Sequence, residues 1–337
     1  MEKTVEKLRE TARELGFEAF GTIETSESES TPAFRAWLNA GRHAGMGYLA
    51  KNADAFENPR SVLPGVRSIF MLGMTYETVA RLAREFFPDA PVFSLLTPVS
   101  SLPTPVSSEE SGKEKSGKNV CEIAAFARTG IDYHVLIRRQ MKRFQQELSA
   151  LFPGQTSRGV VDSAPLHERE FARRAGLGFQ GRNRMLIRPD FGSTFFLAAV
   201  LTTVEISEIG LFHEFSPDQL EKFEKRCTSC GKCQAACPTG ALSEEGLEAG
   251  RCGSYLTIEN RDGIPSKLRP SLSDCVFGCD ACQRACPWNA EVWSRIPVLG
   301  LPRDRVLAMD ESEFRSVFEK TPFLRAGLEG LRRNFED

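Results

Sequence analysis

Apolar and polar positions along the chain follow two periods. In Thr4–Leu15, Val5, Leu8, Ala12 and Leu15 recur three and four residues apart among charged ones, which predicts an amphipathic helix. Phe17–Ile23 is a short apolar run bounded by Gly16 and a Ser/Glu-rich turn, and reads as a strand. Pro32–Ala40 and Met46–Ala50 read as helices around Gly41, Gly45 and Gly47, and Ser68–Tyr76 (SIFMLGMTY) as a buried strand. Further on the pattern predicts a long amphipathic helix over His134–Leu151 and a strand Gly159–Val161 running into Asp162. A helix Leu166–Ala175 and strands Arg184–Ile187 and Thr194–Thr203 follow. Asp310–Glu336 reads as helical, with Phe314, Phe318, Leu324, Leu328 and Leu331 on one side. From Pro88 to Lys118 periodicity gives way to Pro, Ser, Thr, Glu and Lys with the near-repeat LLTPVSS and LPTPVSS. Few side chains there could offset the entropy of ordering, so a flexible surface insertion is predicted over 88–118.

The fold class expected from these elements is α+β, a mixed α/β chain. Residues 1–205 form an α/β domain, 206–300 a cysteine-rich unit of turns and short helices, and 301–337 a helical tail. With 41% apolar and 26% charged residues, wholesale disorder is excluded. Lys and Arg number 43 against 45 acidic residues, so no general basic coat for nucleic acid exists, although a local patch is compatible with the balance. The first residues interleave charge with apolar positions, and nowhere do about 18 apolar residues run together. A protein of the cytoplasm without a membrane segment is expected.

Cysteine changes the picture. Nine of the ten lie between Cys227 and Cys286, and a secreted disulfide scaffold would normally be short and carry an export signal. Cys227, Cys230, Cys233 and Cys237 followed by Pro238 form the Cys-x2-Cys-x2-Cys-x3-Cys-Pro run of bacterial ferredoxins. In such a run three close thiolates hold three corners of a 4Fe-4S cube and the fourth reaches a neighbouring cube. Zinc, which takes four ligands and often paired Cys-x2-Cys elements, has no use for a third close Cys and a Cys-Pro. Cys275, Cys279, Cys282 and Cys286 with Pro287 form a second group, and Cys252 lies between the two. By the crossover logic Cys286 completes the first cube with Cys227, Cys230 and Cys233. Cys237 joins Cys279, Cys282 and one more ligand, and spacing does not choose between Cys252 and Cys275. Two cubes at short range make a relay for single electrons.

The stretch CGSYLTIENRDGIPSKLRP followed by GCDACQRACPWN closely resembles the epoxyqueuosine reductases, cobalamin-dependent enzymes of the last step of queuosine formation in tRNA. VDSAPLHEREFARRAGLGFQGRNRMLI, FGSTFFL, GIDYH, NPRSVLPGVRSI and ARELGFEAFG match in the same order, over most of the chain apart from 88–118. Two departures stand out: Phe126 to Ile131 differ from the usual Tyr-Ala-Arg-Gly element, and Arg182 replaces a more usual Lys. The resemblance implies that Cys252 is the eighth ligand and Cys275 an extra thiol. It also implies a cobalamin-binding N-terminal domain, a ferredoxin-like domain with two 4Fe-4S clusters and a base-off cobalamin. The implied partners are a tRNA carrying epoxyqueuosine and an external low-potential donor such as flavodoxin or ferredoxin, and the implied state is a monomer.

Opening an epoxide to an alkene takes two electrons, two protons and loss of the oxygen as water, so a proton donor must stand near that oxygen. The resemblance implies that this acid is Asp162, and a carboxyl group beside a large corrin away from water is expected to hold its proton readily. The competing structural reading is that Asp162 and Ser163 cap the following helix. Tyr133 and His134 stand beside Asp162 as supporting residues. His134 lacks the Asp-x-His-x-x-Gly element of proteins that ligate cobalt through His, since Ile137 occupies the Gly position. Expected corrin contacts are Arg60, Ala125, Asp162, Arg169, Gln180, Asn183, Arg184, Met185 and Ser254. Seven arginines against three acids between 158 and 188, with Lys267, Arg269, Arg325, Arg332 and Arg333, could line an anticodon stem-loop. Two rival readings are a two-cluster electron carrier serving a partner enzyme, which would leave some 205 upstream residues idle, and a related reductase of the reductive-dehalogenase kind.

Overall fold

The apolar runs Ser68–Thr75 and Phe195–Thr202 lie side by side at the centre of a four-stranded antiparallel sheet, flanked by Ala19–Glu24 and Ser157–Val160. This computed structural model describes residues 2–99, 119–272 and 275–335. Successive side chains of a strand point to opposite faces. Thus Phe70, Leu72 and Met74 face the helices Glu2–Glu14 and Tyr133–Leu151, while Ile69 and Met71 face Glu168–Arg174. Both faces are covered, which is why these strands read as continuous apolar runs. Phe20, Phe70 and Phe144 meet edge-on or tilted at 5.4–6.5 Å between ring centroids, and burying each such ring is worth about 2–3 kcal/mol.

The mixed α/β class is as the periodicity predicts. Strand Gly159–Val161 is found as Ser157–Val160, and of Arg184–Ile187 only Leu186–Ile187 pairs. The helix expected over Leu166–Ala175 starts at Glu168, because the turns before it are tied by short backbone bonds such as Leu166 N–H to the Ala164 carbonyl. A helix at Tyr76–Phe86 follows the second strand where none was expected, started by Thr75, whose hydroxyl accepts the Thr78 N–H.

A second sheet runs Cys275–Phe277, Val120–Ile123, Leu299–Pro302, Thr97–Pro98. It draws strands from both sides of the boundary expected at 205, and the main apolar core likewise joins Ile123 and Leu136 to Phe277, Leu301 and Phe323. The insertion expected over 88–118 is corrected at its start. Val92–Leu95 forms a helical turn with Val92 fully buried, and Thr97–Pro98 pairs with Leu299–Gly300. The Pro and Ser content of the segment concealed the apolar VFSLL within it. Residues 100–118 lie outside the described residues. The tail breaks into Glu311–Phe318, Pro322–Arg325 and Gly327–Phe335, with Lys320 and Gly327 at positive φ between them. Phe314, Phe318, Leu328 and Leu331 are buried as expected, but Leu324 is 42% exposed because it falls in the Pro322 turn rather than on a continuous helix. Among the described residues no helix is long and apolar enough to cross a membrane.

Candidate functional site

The first group of thiols is placed by short elements. Ser216 and Gln219 form a reciprocal cap at the start of helix Pro217–Thr228, whose last turn carries Cys227. Gly231, at φ +67°, reverses the chain so that the turn Lys232–Ala235 brings Cys233 back. Cys227, Cys230, Cys233 and the distant Cys286 line one small cavity, together with Arg182, Asn183, Ile187, Pro287 and Trp288. This is the set the crossover spacing predicts.

Cys237, Cys252, Cys279 and Cys282 are the second expected group. Cys279 lies within electrostatic range of Cys252 and Cys237, and Cys282 of Cys279 and Cys252. Cys279 also packs on Gly253, where an added Cβ would meet its Cβ at 3.1 Å. Cys275 also lies within electrostatic range of Cys279. Its thiol approaches the Gly278 carbonyl at 3.1 Å on the side of Asp280 and Arg128. Burial pushes the Cys279 thiol up to about 11, and Cys282 and Cys275 higher still. Thiols buried this way ionise only when a cation takes the place of the proton, so the donor set fits iron-sulfur cubes. The Arg182 N–H lies 3.5 Å from the Cys227 sulfur, the kind of contact that tunes a cluster's potential.

Asp162 stands just beyond the strand Ser157–Val160, exposed and at φ +52°. The Tyr133 phenol donates to its Oδ2 at 2.9 Å, and its own N–H donates to Oε1 of Glu168 at 2.8 Å. The capping alternative is corrected: His167 precedes the helix Glu168–Arg174, without a side-chain cap. In this corner the carboxyl group driven toward its protonated form is that of Glu168, raised to about 8 by burial and by the neighbouring Asp162 charge. His134 Nδ1 lies 2.7 Å from Oδ1 of Asp132. Burial alone would raise the Asp132 carboxyl, but its bonds to His134 hold it below its usual range. The Tyr133 ring stacks on Phe196 at 4.1 Å and Phe196 meets Tyr76 at 4.6 Å, with Cys282 within electrostatic range of the Tyr76 phenol. One aromatic row thus runs from the Asp162 corner toward Cys282.

The other expected contacts are spread. Arg60 is exposed in the turn Pro59–Ser61, and Arg169 and Gln180 are exposed. Ala125 is buried, its N–H donating to Oδ2 of Asp280 at 2.7 Å, and Ser254 opens the helix Gly253–Ile258. Asn183 is buried against the first thiol cavity, its Oδ1 accepting the Met185 N–H at 3.2 Å, and Arg184, at φ +65°, lies against Gly246. Of the basic set, Lys267 is exposed and Arg269 donates to the Arg333 carbonyl at 3.0 Å. Arg188 is only 2% exposed and pairs with Asp190 and Glu214, while Arg173 pairs with Glu224 and Arg333 bonds the carbonyls of Asn260 and Leu256. These three are spent on the fold. Sequence reasoning missed Glu168 as part of the site, the row Tyr76–Phe196, and Tyr48. Tyr48 lies within electrostatic range of Arg325, itself paired with Glu259 at 2.6 Å, and of Asp162.

Fold and site together define an iron-sulfur redox protein in which a double-cluster segment is built onto an α/β body. Residues 226–289 match the family model described as a 4Fe-4S double cluster binding domain. The epoxyqueuosine reductase of Cyclobacterium marinum is 31% identical over 341 residues, covering 99% of this chain and 96% of that protein. That of Escherichia coli is 30% identical over 336 residues, covering 97% and 78%. A crystal structure of epoxyqueuosine reductase with an epoxyqueuosine-modified tRNA-Tyr stem loop has a TM-score of 0.74 at 24% identity, covering 98% of this chain and 79% of that one. This chain belongs to the epoxyqueuosine reductase family.

Proposed function

We propose that the chain reduces epoxyqueuosine in tRNA to queuosine, taking electrons singly through two 4Fe-4S clusters held by Cys227, Cys230, Cys233 and Cys286 and by Cys237, Cys252, Cys279 and Cys282. Cobalamin, when bound, would supply the strongly reducing metal that epoxide opening needs. In this reading residues 1–205 hold the corrin through Arg60, Ala125, Arg169, Gln180, Asn183, Arg184 and Met185, with Ser254 of the following unit as a further contact. Residues 206–300 hold the clusters, and 301–337 close the fold as a helical tail.

Two electrons and two protons enter and one water leaves. Asp162 delivers a proton to the departing oxygen. Tyr133 orients the Asp162 carboxylate and offers its own proton along the 2.9 Å bond, while Asp132 fixes the His134 ring beside it. Lys267 and Arg269 contact phosphates. A low-potential donor such as flavodoxin or ferredoxin supplies the electrons, and the protein acts as a cytoplasmic monomer.

One observation supports the reading: the aromatic row Tyr133–Phe196–Tyr76 runs from the Asp162 carboxylate toward the side of Cys282. The test is anaerobic incubation of the reduced, cobalamin-loaded protein with epoxyqueuosine-containing tRNA, followed by mass analysis of the nucleosides. Loss of one oxygen, dependent on both reductant and cobalamin, is expected. An unchanged nucleoside in protein that carries both clusters and the corrin overturns the assignment.

A further inference from the structure

Asp162 is held in a conformation that L residues rarely adopt. Its φ is +52° and the Ser163 N–H reaches back to the Val161 carbonyl at 2.6 Å, closing a three-residue turn around it. Turns of this hand are strained, and a non-glycine residue at positive φ persists only where neighbours over-determine it.

Three side chains do so here. Tyr133 holds the carboxylate of Asp162 and Arg138 donates to Oγ of Ser163 at 3.0 Å, but only Glu168 holds the Asp162 peptide itself, through Oε1 at 2.8 Å from the N–H. Glu168 is the first residue of the helix Glu168–Arg174, whose Phe171 and Ala172 are fully buried against the central sheet. Its acceptor oxygen therefore projects from a fixed base onto a strained turn.

We propose that Glu168 is a positioning residue that latches this turn: by accepting the Asp162 N–H it holds the Asp162 carboxyl where it meets the Tyr133 phenol and faces the substrate. The inference rests on Asp162 being the proton donor. Glu168 touches no reacting atom; it acts through the Asp162 backbone. A merely structural Glu168, favourable only because acids suit the first turn of a helix, would leave the turn indifferent to its loss.

The test compares Glu168→Ala, Glu168→Gln and Asp162→Asn in two measurements. The first is amide exchange of peptides spanning 160–167 in the protein without substrate. Glu168→Ala is expected to speed exchange in this segment about tenfold, whereas Glu168→Gln, which keeps Oε1 as an acceptor, leaves it near wild type. The second is turnover of the loaded enzyme. Glu168→Ala should lower kcat about tenfold or more with KM for tRNA within about twofold, and Glu168→Gln should restore most of that loss.

Exchange and kcat both unaltered in Glu168→Ala, while Asp162→Asn is inactive, overturns the latch and leaves the donor assignment standing. A fully active Asp162→Asn overturns the donor assignment itself. Should Glu168→Ala fail to fold, Glu168→Asp, whose shorter side chain does not reach the Asp162 N–H, takes its place under the same criteria.

Discussion

The Tyr133 phenol donates to Oδ2 of Asp162 at 2.9 Å while its ring lies stacked between those of His134 and Phe196, at 4.2 and 4.1 Å. Hydrogen bond and stacking are separable. Tyr133→Phe keeps the stacked ring and removes the donor, so kcat should fall about tenfold, as expected for loss of one bond to a charged group. Melting temperature and iron content should stay at wild-type values. Steady-state kinetics beside a thermal melt check this, and an unchanged kcat would remove Tyr133 from the proton path.

Two cysteines compete for the eighth ligand position. Both Cys252 and Cys275 lie within electrostatic range of Cys279, but the Cys275 thiol donates to the Gly278 carbonyl at 3.1 Å while Cys252 also faces Cys237. Cys275→Ser should therefore retain about eight irons per chain, while Cys252→Ser and Cys286→Ser should each lose or destabilise one cube, those of the second and first groups respectively. Iron analysis with electron paramagnetic resonance of the reduced proteins reads the outcome. Equal iron loss in Cys275→Ser would exchange the two roles.

Arg128 is 5% exposed and bonds the Ile123 and Pro297 carbonyls and Glu122, with Asp280 at 3.6 Å. Removing one partner of a buried ion pair strands the other charge. Arg128→Met should thus destabilise the fold by about 3–5 kcal/mol. Denaturant unfolding under anaerobic conditions measures this, and a loss below about 1 kcal/mol would mean that the pair is solvated.

Raising the salt concentration from about 50 to about 200 mM should weaken tRNA affinity about tenfold or more if a handful of phosphate contacts carry binding. Lys267 is exposed, so Lys267→Ala should reduce the salt slope by about one, uniformly across tRNA sequences. Arg269, tied to the Arg333 carbonyl, should give a smaller change. Salt-independent affinity would contradict phosphate contact by this face.

The Glu168 carboxyl gives a sign for pH. Its folded value of about 8 lies above the ordinary 4.5, so the folded chain retains a proton that the unfolded chain releases. Its contribution to stability is complete below about 4.5 and is lost as pH rises toward about 8. Glu168→Gln, which cannot ionise, should flatten the decline of stability across that window, and an unaltered pH profile would show that Glu168 titrates as an exposed acid does.

Much of this was legible in the residues because cubane ligation is written in spacing: the cavity that joins Cys286 to Cys227, Cys230 and Cys233 is the crossover set. The central strands were legible because burial on both faces leaves uninterrupted apolar runs. Helix Tyr76–Phe86 was not, since the apolar run of the preceding strand flows into it and only Thr75 marks the change. Nor was the joining of Thr97–Pro98 and Val120–Ile123 to strands from near residues 276 and 300, because pairing between remote segments has no local signature. Glu168 stayed hidden for a similar reason. In the sequence it is an acid at a helix start, and its bond to a peptide N–H six residues earlier exists only once the strained turn at Asp162 has formed.

In the proposed reaction turnover depends on Asp162 as the proton donor. The most direct test of this dependence is single turnover of epoxyqueuosine-containing tRNA by the wild type and by Asp162→Asn, each first shown to carry about eight irons and one corrin per chain. The wild type is expected to form queuosine, while the variant, equally loaded, is expected to be slower by a factor of about a hundred to ten thousand. Comparable rates in the two proteins would contradict that dependence.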